Sequence, residues 1–549
     1  MSWVSLLGSR LDACTRRDCA SSGTDRAWSG TWSPWPAQSW LRATLFGWRR
    51  RERRAMTSSP SDLQVVTAAL GAAGLIEMIH GPGDVEISGV TQDSRTVEPG
   101  NLFLAWSGSD WDAHGFVAQA AAMGAAAAVV ERYVPEAEIP QIQVSNGRLA
   151  AALAADALLG SPWAELFTVG VTGTNGKTTT ALLAQHLLGA RGASAAVGTL
   201  GLVGPDGSAR EGTVGLTTPG PVAISTWLAD LVQEGVESVT IEASSHALDQ
   251  SRLDGVRFDA VVFTNMSQDH LEYHADMAAY FRAKSHLLNL TKDGGCVVVN
   301  ADDARWKDLP IEGRRTLTYG IEESADLRAE SIEPGPSGTR FRMDGAAGEI
   351  DVDLPLIGRF NVENSLAAAG IGTVAGLSLE VVADRLGSVP QIPGRLEVVQ
   401  RDPFAVVIDF AHTPDALRRV VATMRPLVAG RLIVVFGAGG DRDRIKRPDM
   451  ARAVAQVADV VVITSDNPRT EDPETIIDDI VSGMDGSPFE RLVDRREAIR
   501  HALAEARPGD LVLLAGKGHE RYQIVGTERL PFDERLIIEA HLGRMGELA

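Results

Sequence analysis

Residues 169–180 read Val-Gly-Val-Thr-Gly-Thr-Asn-Gly-Lys-Thr-Thr-Thr, an apolar run ending in a small polar loop. Helix-forming residues from Ala181 to Ala184 follow, so the stretch predicts strand, loop and helix. Its glycines let backbone N–H groups close around phosphate oxygens, and the helix N-terminus adds positive potential. Lys177 supplies a charge for β- and γ-phosphates, and Thr178 a hydroxyl for Mg²⁺. An ordinary glycine-rich turn is the alternative, and the complete motif disfavours it. One position departs from the general P-loop pattern: Val171 stands where a glycine precedes the Gly-Lys pair by five residues.

Further chemistry is spaced along strand ends. The apolar stretch from Ser238 closes on Glu242, and an acid at a strand end beside a P-loop is the usual place for a Mg²⁺ ligand. The next apolar stretch, residues 258–266, leads into His270 and His274. Their i,i+4 spacing predicts one helix face, and points to one of the pair as a ligand rather than both. A His-Glu-x-x-His zinc site is excluded by the residues between them. Lys284 reads from propensity as an ordinary exposed charge on a helix. Asn361 and Asn364 open a further helix at i,i+3, as an N-cap with a packing asparagine or as ligands. Later strand ends carry Asp409 to Asp415, Gly440 to Asp443, Asp466 to Arg469 and Gly516 to Glu520.

The elements that hold these residues fall into three segments. Residues 56–162 mix a capped helix (Asp62 to Leu75) with strand and turn signals, and Ser161-Pro162 marks a boundary. Residues 163–390 contain the P-loop. Residues 391–549 alternate apolar strands (405–410, 432–436, 460–463, 511–514) with helical segments (414–424, 448–457, 473–484). Such alternation predicts a mostly parallel, Rossmann-like sheet. The glycines of residues 437–440 lack the dinucleotide spacing, so a redox cofactor is rejected.

The 549 residues carry a formal charge of −20, which argues against nonspecific nucleic-acid binding. Three cysteines give no disulfide framework or cysteine zinc site and fit a reducing, cytoplasmic compartment. No apolar run reaches the roughly 20 residues that span a bilayer. Residues 1–55 differ in composition, with six of the 11 tryptophans and the basic run 49–54. They read as an over-extended translation start before Met56, or else as a transit or membrane-surface peptide.

The short form Gly173 to Thr178 resembles the P-loop of the Mur ligases and folylpolyglutamate synthetases, which join an amine to a carboxylate using ATP. From about Asp93 to the C-terminus the constellation resembles the diaminopimelate-adding Mur ligases. The resemblance implies an α/β protein of three domains: a small UDP-sugar domain, a central P-loop ATPase and a C-terminal acceptor domain. It implies ATP contacts from Gly173, Thr174, Asn175, Gly176, Lys177, Thr178, Thr179, Asn361, Asn364, Arg395 and Asp409. Lys284 is implied to be carbamylated, sharing a second Mg²⁺ with His270. The UDP-N-acetylmuramoyl dipeptide is implied to meet Gln92, Ser94, Ser109, Asp110, Trp111, Leu216, Thr217, Thr218, Ser244, Gln250 and Arg252.

Diaminopimelate and lysine differ by one carboxylate at the far end of the chain. A site that selects the former needs a cation there, and arginine can bind it with two parallel hydrogen bonds. Arg469 closes the Asp466-Asn467-Pro468-Arg469 turn, with Arg442 as a second cation and Gly516 and Glu520 completing that end. A surface salt bridge of Arg469 with Glu471 or Asp472 is the plainer alternative. Lysine addition and folate polyglutamylation are the rival ligase readings. A P-loop motor or a noncatalytic nucleotide-binding partner is the rival outside that class. The protein is expected to act as a monomer.

Overall fold

The computed structural model describes residues 61–108 and 112–548, with side chains from residue 63 to residue 543. The expectations for residues 1–55 and for Ser109, Asp110 and Trp111 lie outside the described residues. The described residues belong to one compact unit. No described helix is long and apolar enough to cross a membrane.

Three main sheets follow one another. The first has strands β1 (Ile76–His80), β2 (Gly89–Thr91), β3 (Asn101–Leu104), β4 (Ala127–Val130) and β5 (Gln141–Val144), in the order β1-β5-β4-β3-β2. Only β1 runs antiparallel. The helix expected over Asp62 to Leu75 spans Leu63–Ala72.

The second sheet holds ten strands: β6 (Phe167–Thr172), β7 (Ser194–Gly198), β8 (Gly201–Val203), β9 (Ser238–Glu242), β10 (Phe258–Phe263), β11 (Thr291–Asn300), β12 (Arg315–Gly320), β13 (Leu327–Gly335), β14 (Gly338–Gly345) and β15 (Gly348–Leu354). The order is β8-β7-β9-β6-β10-β11-β12-β13-β14-β15. In sheet order the strands from β7 to β13 are parallel, and the central ones, β7, β9, β6 and β10, are buried on both faces, which is why their sequences are dominated by apolar and small residues. Val169, Val171 and Val262 pack under helices α1 (Lys177–Leu188) and α3 (Arg359–Val374), while Val261 and Phe263 face the opposite layer. The antiparallel β13–β15 extension alternates instead: Phe341 and Met343 are buried, Arg340 and Arg342 exposed. Burying each such apolar side chain contributes about 1.5–3 kcal/mol.

The third sheet comprises β16 (Glu397–Gln400), β17 (Ala405–Asp409), β18 (Leu432–Phe436), β19 (Val460–Ile463), β20 (Glu490–Arg491) and β21 (Leu511–Ala515), ordered β16-β17-β21-β18-β19-β20. It is parallel except for β16, as the alternation of strand and helix predicts. Parallel strands of one sheet end on one edge, so the loops after β17, β18, β19 and β21 gather there.

Candidate functional site

The P-loop lies between β6 and α1. Gly173 has φ of +150°, and a Cβ there would stand 1.8 Å from Thr264 Oγ1, so only glycine lets the loop approach β10. Lys177 Nζ donates to Gly173 O (3.0 Å) and Thr174 O (2.8 Å), folded onto its own loop. Burial lowers its pKa, opposed by Glu242 and Asp269.

Glu242 ends β9, 2% exposed. Its carboxylate accepts from Thr199 N (2.8 Å), Thr178 Oγ1 (3.0 Å) and Thr199 Oγ1 (3.1 Å). Burial raises its pKa against the pull of Thr199 N–H and Lys177. Among the described residues no three His, Cys, Asp or Glu side chains converge as a metal cage. Two hydroxyls and one carboxylate are instead a hard-oxygen set of the kind that holds Mg²⁺ together with substrate phosphates.

Two sequence expectations fail next to this loop. Residues 271–276 are turn and bend, not the helix that i,i+4 spacing suggested, because His270 has φ of +55°. His270 O accepts from Tyr273 N (3.1 Å) and His274 N (2.9 Å), one turn that does not continue. His270 is left 41% exposed at the cleft, between Asp269 and Glu272. His274 is buried among the rings of His246, Tyr273 and Tyr280. Lys284 is not an exposed charge. It is 1% exposed on α2 (Met277–Ser285), because that helix packs its last turn under the P-loop. Its Nζ donates to Gly173 O at 2.7 Å and lies 4.5 Å from the Tyr280 ring centroid. Burial and Lys177 push its pKa well down, against the weaker pull of Asp269. A buried, neutral amine is the form that can take up CO₂, so Lys284 fits a carbamate.

A cleft of about 480 Å³ is lined by residues 174–179, Glu242, His270, Asn364, Arg395 and Asp409. Asn364 Oδ1 accepts from Thr180 Oγ1 (3.3 Å), and Asn361, outside the lining, donates to Ile357 O (2.9 Å) while its own Oδ1 holds Asn364 Nδ2 (3.2 Å). Arg395 Nη2 reaches Thr178 Oγ1 (3.3 Å) across to the second sheet, with its guanidinium over Phe410. Asp409 accepts from Leu396 N and Ala411 N, both at 2.7 Å, and so fixes the two loops it joins.

A second cleft, about 550 Å³, gathers the loop ends of the third sheet: Arg442, Asp466, Asn467, Arg469, Gly516 and Glu520. Pro468 lies outside its lining, buried in the turn. Arg469 makes no salt bridge with Glu471 or Asp472. Its Nη1 donates to Gly440 O (2.8 Å), and Glu471 pairs with Arg447. Asp466 Oδ2 is buried with no partner. Glu520 Oε2 accepts from Asn467 Nδ2 (2.8 Å) and from the fully buried Lys517 Nζ (3.1 Å). Asp269, His270, Phe410, His412, Thr413 and Arg442 line both clefts, so the two are continuous.

A third group sits beside the P-loop. Thr218 Oγ1 donates to Glu242 O (2.6 Å) and accepts from Ser244 N (3.0 Å); Arg252 Nη1 donates to Thr218 O (2.9 Å) and its Nη2 to Gln250 Oε1 (2.7 Å). Gln92 from the first sheet packs on Gly220, Thr217 hydrogen-bonds Thr199, and Leu216 is 57% exposed. Ser94 lies two residues beyond Gln92 in a 3-10 turn, half-buried.

The family descriptions "Mur ligase family, catalytic domain", "Mur ligase middle domain" and "Mur ligase, glutamate ligase domain" match residues 86–157, 171–372 and 394–518. The chain belongs to the Mur ligase family. A UDP-N-acetylmuramoyl-L-alanyl-D-glutamate–2,6-diaminopimelate ligase of Gloeobacter violaceus is 44% identical over 82% of this chain and 93% of its own length. The ligase of the same name from Geobacillus thermodenitrificans is 41% identical over 84% and 96%. A solved structure of a ligase of that name superposes with a TM-score of 0.63, at 32% identity, over 89% of this chain and 99% of that one. A Mur ligase of Thermotoga maritima solved with ADP shares the fold at 17% identity, with a TM-score of 0.58 over 83% and 96%.

Sequence reasoning passed over Asp269 and Lys517. Burial raises the Asp269 pKa, but His270, His412, Lys177 and Lys446 outweigh it and leave the carboxyl below its ordinary value. The signal available was position: Asp269 follows the end of β10, and Lys517 follows the end of β21.

Proposed function

We propose that this chain adds diaminopimelate to the D-glutamate carboxylate of UDP-N-acetylmuramoyl-L-alanyl-D-glutamate, with ATP, in cytoplasmic peptidoglycan precursor synthesis. One observation carries the reading: the P-loop cleft opens into the cleft holding Arg469 and Glu520, through walls they share. The similarity to ligases of that name supports it. In this reading domains 56–162, 163–390 and 391–549 bind the UDP-sugar dipeptide, ATP and the amino acid. The protein works as a monomer, without nucleic acid or membrane insertion.

A carboxylate is a poor acyl donor because its oxygen leaves badly. One of its oxygens therefore attacks the γ-phosphorus, the bond to ADP breaks, and an acyl phosphate forms. Two anions must meet, so charge has to be supplied. Lys177 is tethered by two carbonyls that phosphate oxygens would replace. Arg395 reaches the same point from the third sheet. Thr178 and Glu242 would hold one Mg²⁺, and His270 with the Lys284 carbamate a second; such ions neutralise the transferring phosphoryl group. The neutral amine then attacks the acyl carbon and phosphate leaves with the former carboxylate oxygen. Thr218, Ser244, Gln250 and Arg252 orient the UDP-sugar dipeptide beside the P-loop, together with Gln92, Ser94, Leu216, Thr217 and residues 109–111. Asp466 and Glu520 take the ammonium at the far end of diaminopimelate, and Arg469, aided by Arg442, its carboxylate.

Isotope transfer tests the reading. With ¹⁸O in the D-glutamate side-chain carboxylate, each released phosphate should carry one ¹⁸O. Unlabelled phosphate would rule out the acyl phosphate route.

A further inference from the structure

Arg447 lies in the first turn of α4 (Lys446–Ala455), fully buried and outside the lining of both clefts. Its guanidinium grips Glu471 with two parallel bonds, Nη1 to Oε2 (3.0 Å) and Nη2 to Oε1 (2.8 Å). It also donates to Asp479 Oδ2 (2.8 Å) and Gly439 O (3.1 Å). The loop after β18 and the loop after β19 are thereby clasped from below.

The clasp continues upward. Glu471 Oε1 accepts from Asp441 N (2.5 Å), and the Asp441 carboxylate takes Thr470 Oγ1 (2.8 Å) and Thr470 N (3.1 Å). Between these bonds sits Arg469, with its guanidinium on Gly440 O. Arg469 and Asp441, one on each loop, have φ of +52° and +53°. Non-glycine residues hold that conformation only where their surroundings over-determine it. Glu471 is taken up by Arg447 and Asp441 N, and the Asp441 carboxylate by Thr470, which leaves Arg469 without an ion pair to either acid.

We propose that Arg447, acting through Glu471, is a positioning residue for amino-acid selection: it holds the Arg469 guanidinium where a distal carboxylate of the acceptor can be gripped. The proposal rests on the reading of Arg469 given above. Bidentate capture of a carboxylate tolerates little displacement, so a loosened loop costs recognition before it costs fold.

The test is a double-mutant cycle read as separate KM values for diaminopimelate, ATP and the UDP-sugar dipeptide. Arg447→Lys and Glu471→Gln should each raise the KM for diaminopimelate about 10- to 100-fold. The other two KM values should stay within about twofold. In an Arg469→Ala background neither change should add anything. Equal losses for all three substrates, or full additivity with Arg469→Ala, would make the network merely structural and overturn the proposal. An Arg469→Ala enzyme with unchanged KM would sink the reading of Arg469, and the proposal with it. A raised KM there, with unaltered Arg447→Lys and Glu471→Gln enzymes, would sink the proposal alone. Should Arg447→Lys not fold, Glu471→Gln decides, since its amide keeps the shape of the carboxylate.

Discussion

Replacing Lys284 separates chemistry from stability. An ammonium has three donors, and Lys284 Nζ has one acceptor, Gly173 O, and one ring face, Tyr280. Each buried donor left without a partner costs about 1–3 kcal/mol, so burial here favours the neutral amine over the ammonium. Lys284→Met keeps the length of the side chain and forgoes a single hydrogen bond, worth about 1 kcal/mol net. The melting temperature should therefore move little. Turnover should fall much further if the side chain, as a carbamate, holds an ion on the transferring phosphoryl group. Loss of such charge stabilisation is worth several kcal/mol, or about 10²- to 10⁴-fold in kcat. Phosphate release from ATP at saturating substrates is the assay, with melting followed in parallel. In Lys284→Ala, which leaves room, formate at high concentration should restore part of the rate by replacing the missing anion. A Lys284→Met enzyme as active as the parent would refute the carbamate, and a large loss of stability would refute the neutral buried amine.

Other perturbations follow from single contacts. Gly440→Ala would place a Cβ 1.9 Å from Pro468 O, so the loop must shift at a cost of about 1–3 kcal/mol. The KM for diaminopimelate should rise while that for ATP holds. Glu534→Ala strands the buried Arg495, which Glu534 holds at 2.8 Å, and should cost about 3–5 kcal/mol, read by denaturant melts. The hydrogen bond that His286 Nε2–H donates to the Asp254 carboxylate raises the His286 pKa above its ordinary 6.5. That pair stabilises the fold below the unfolded-state pKa and ceases to do so as pH rises through the folded value. Asp254→Asn should therefore depress melting more in mildly acidic solution than in alkaline solution above the folded-state pKa.

What the sequence reveals follows from what each residue depends on. The P-loop, Glu242 and the four loops of the third sheet are legible because strand ends in a parallel sheet are fixed by local pattern. Lys284 is not, since its burial comes from α2 meeting Gly173 across 111 positions of chain. His270 misleads because periodicity assumes a helix, and one left-handed residue breaks it. Arg447 and Lys517 look like surface charges, and only partners distant in sequence, at 24 and 50 positions, make them buried anchors. The β13–β15 hairpins alternate in their sequence, yet their addition to a parallel sheet is a matter of packing rather than pattern.

Arg469 and Glu520 should decide which amine this chain consumes. Phosphate release from ATP should be measured with UDP-N-acetylmuramoyl-L-alanyl-D-glutamate and, in turn, diaminopimelate, lysine or no amine. Release should be sustained with diaminopimelate and small with no amine, and kcat/KM for lysine should be lower by about 30-fold or more, the cost of one forgone charged bidentate contact. Lysine preferred over diaminopimelate, or equal release without any amine, would contradict the proposed function.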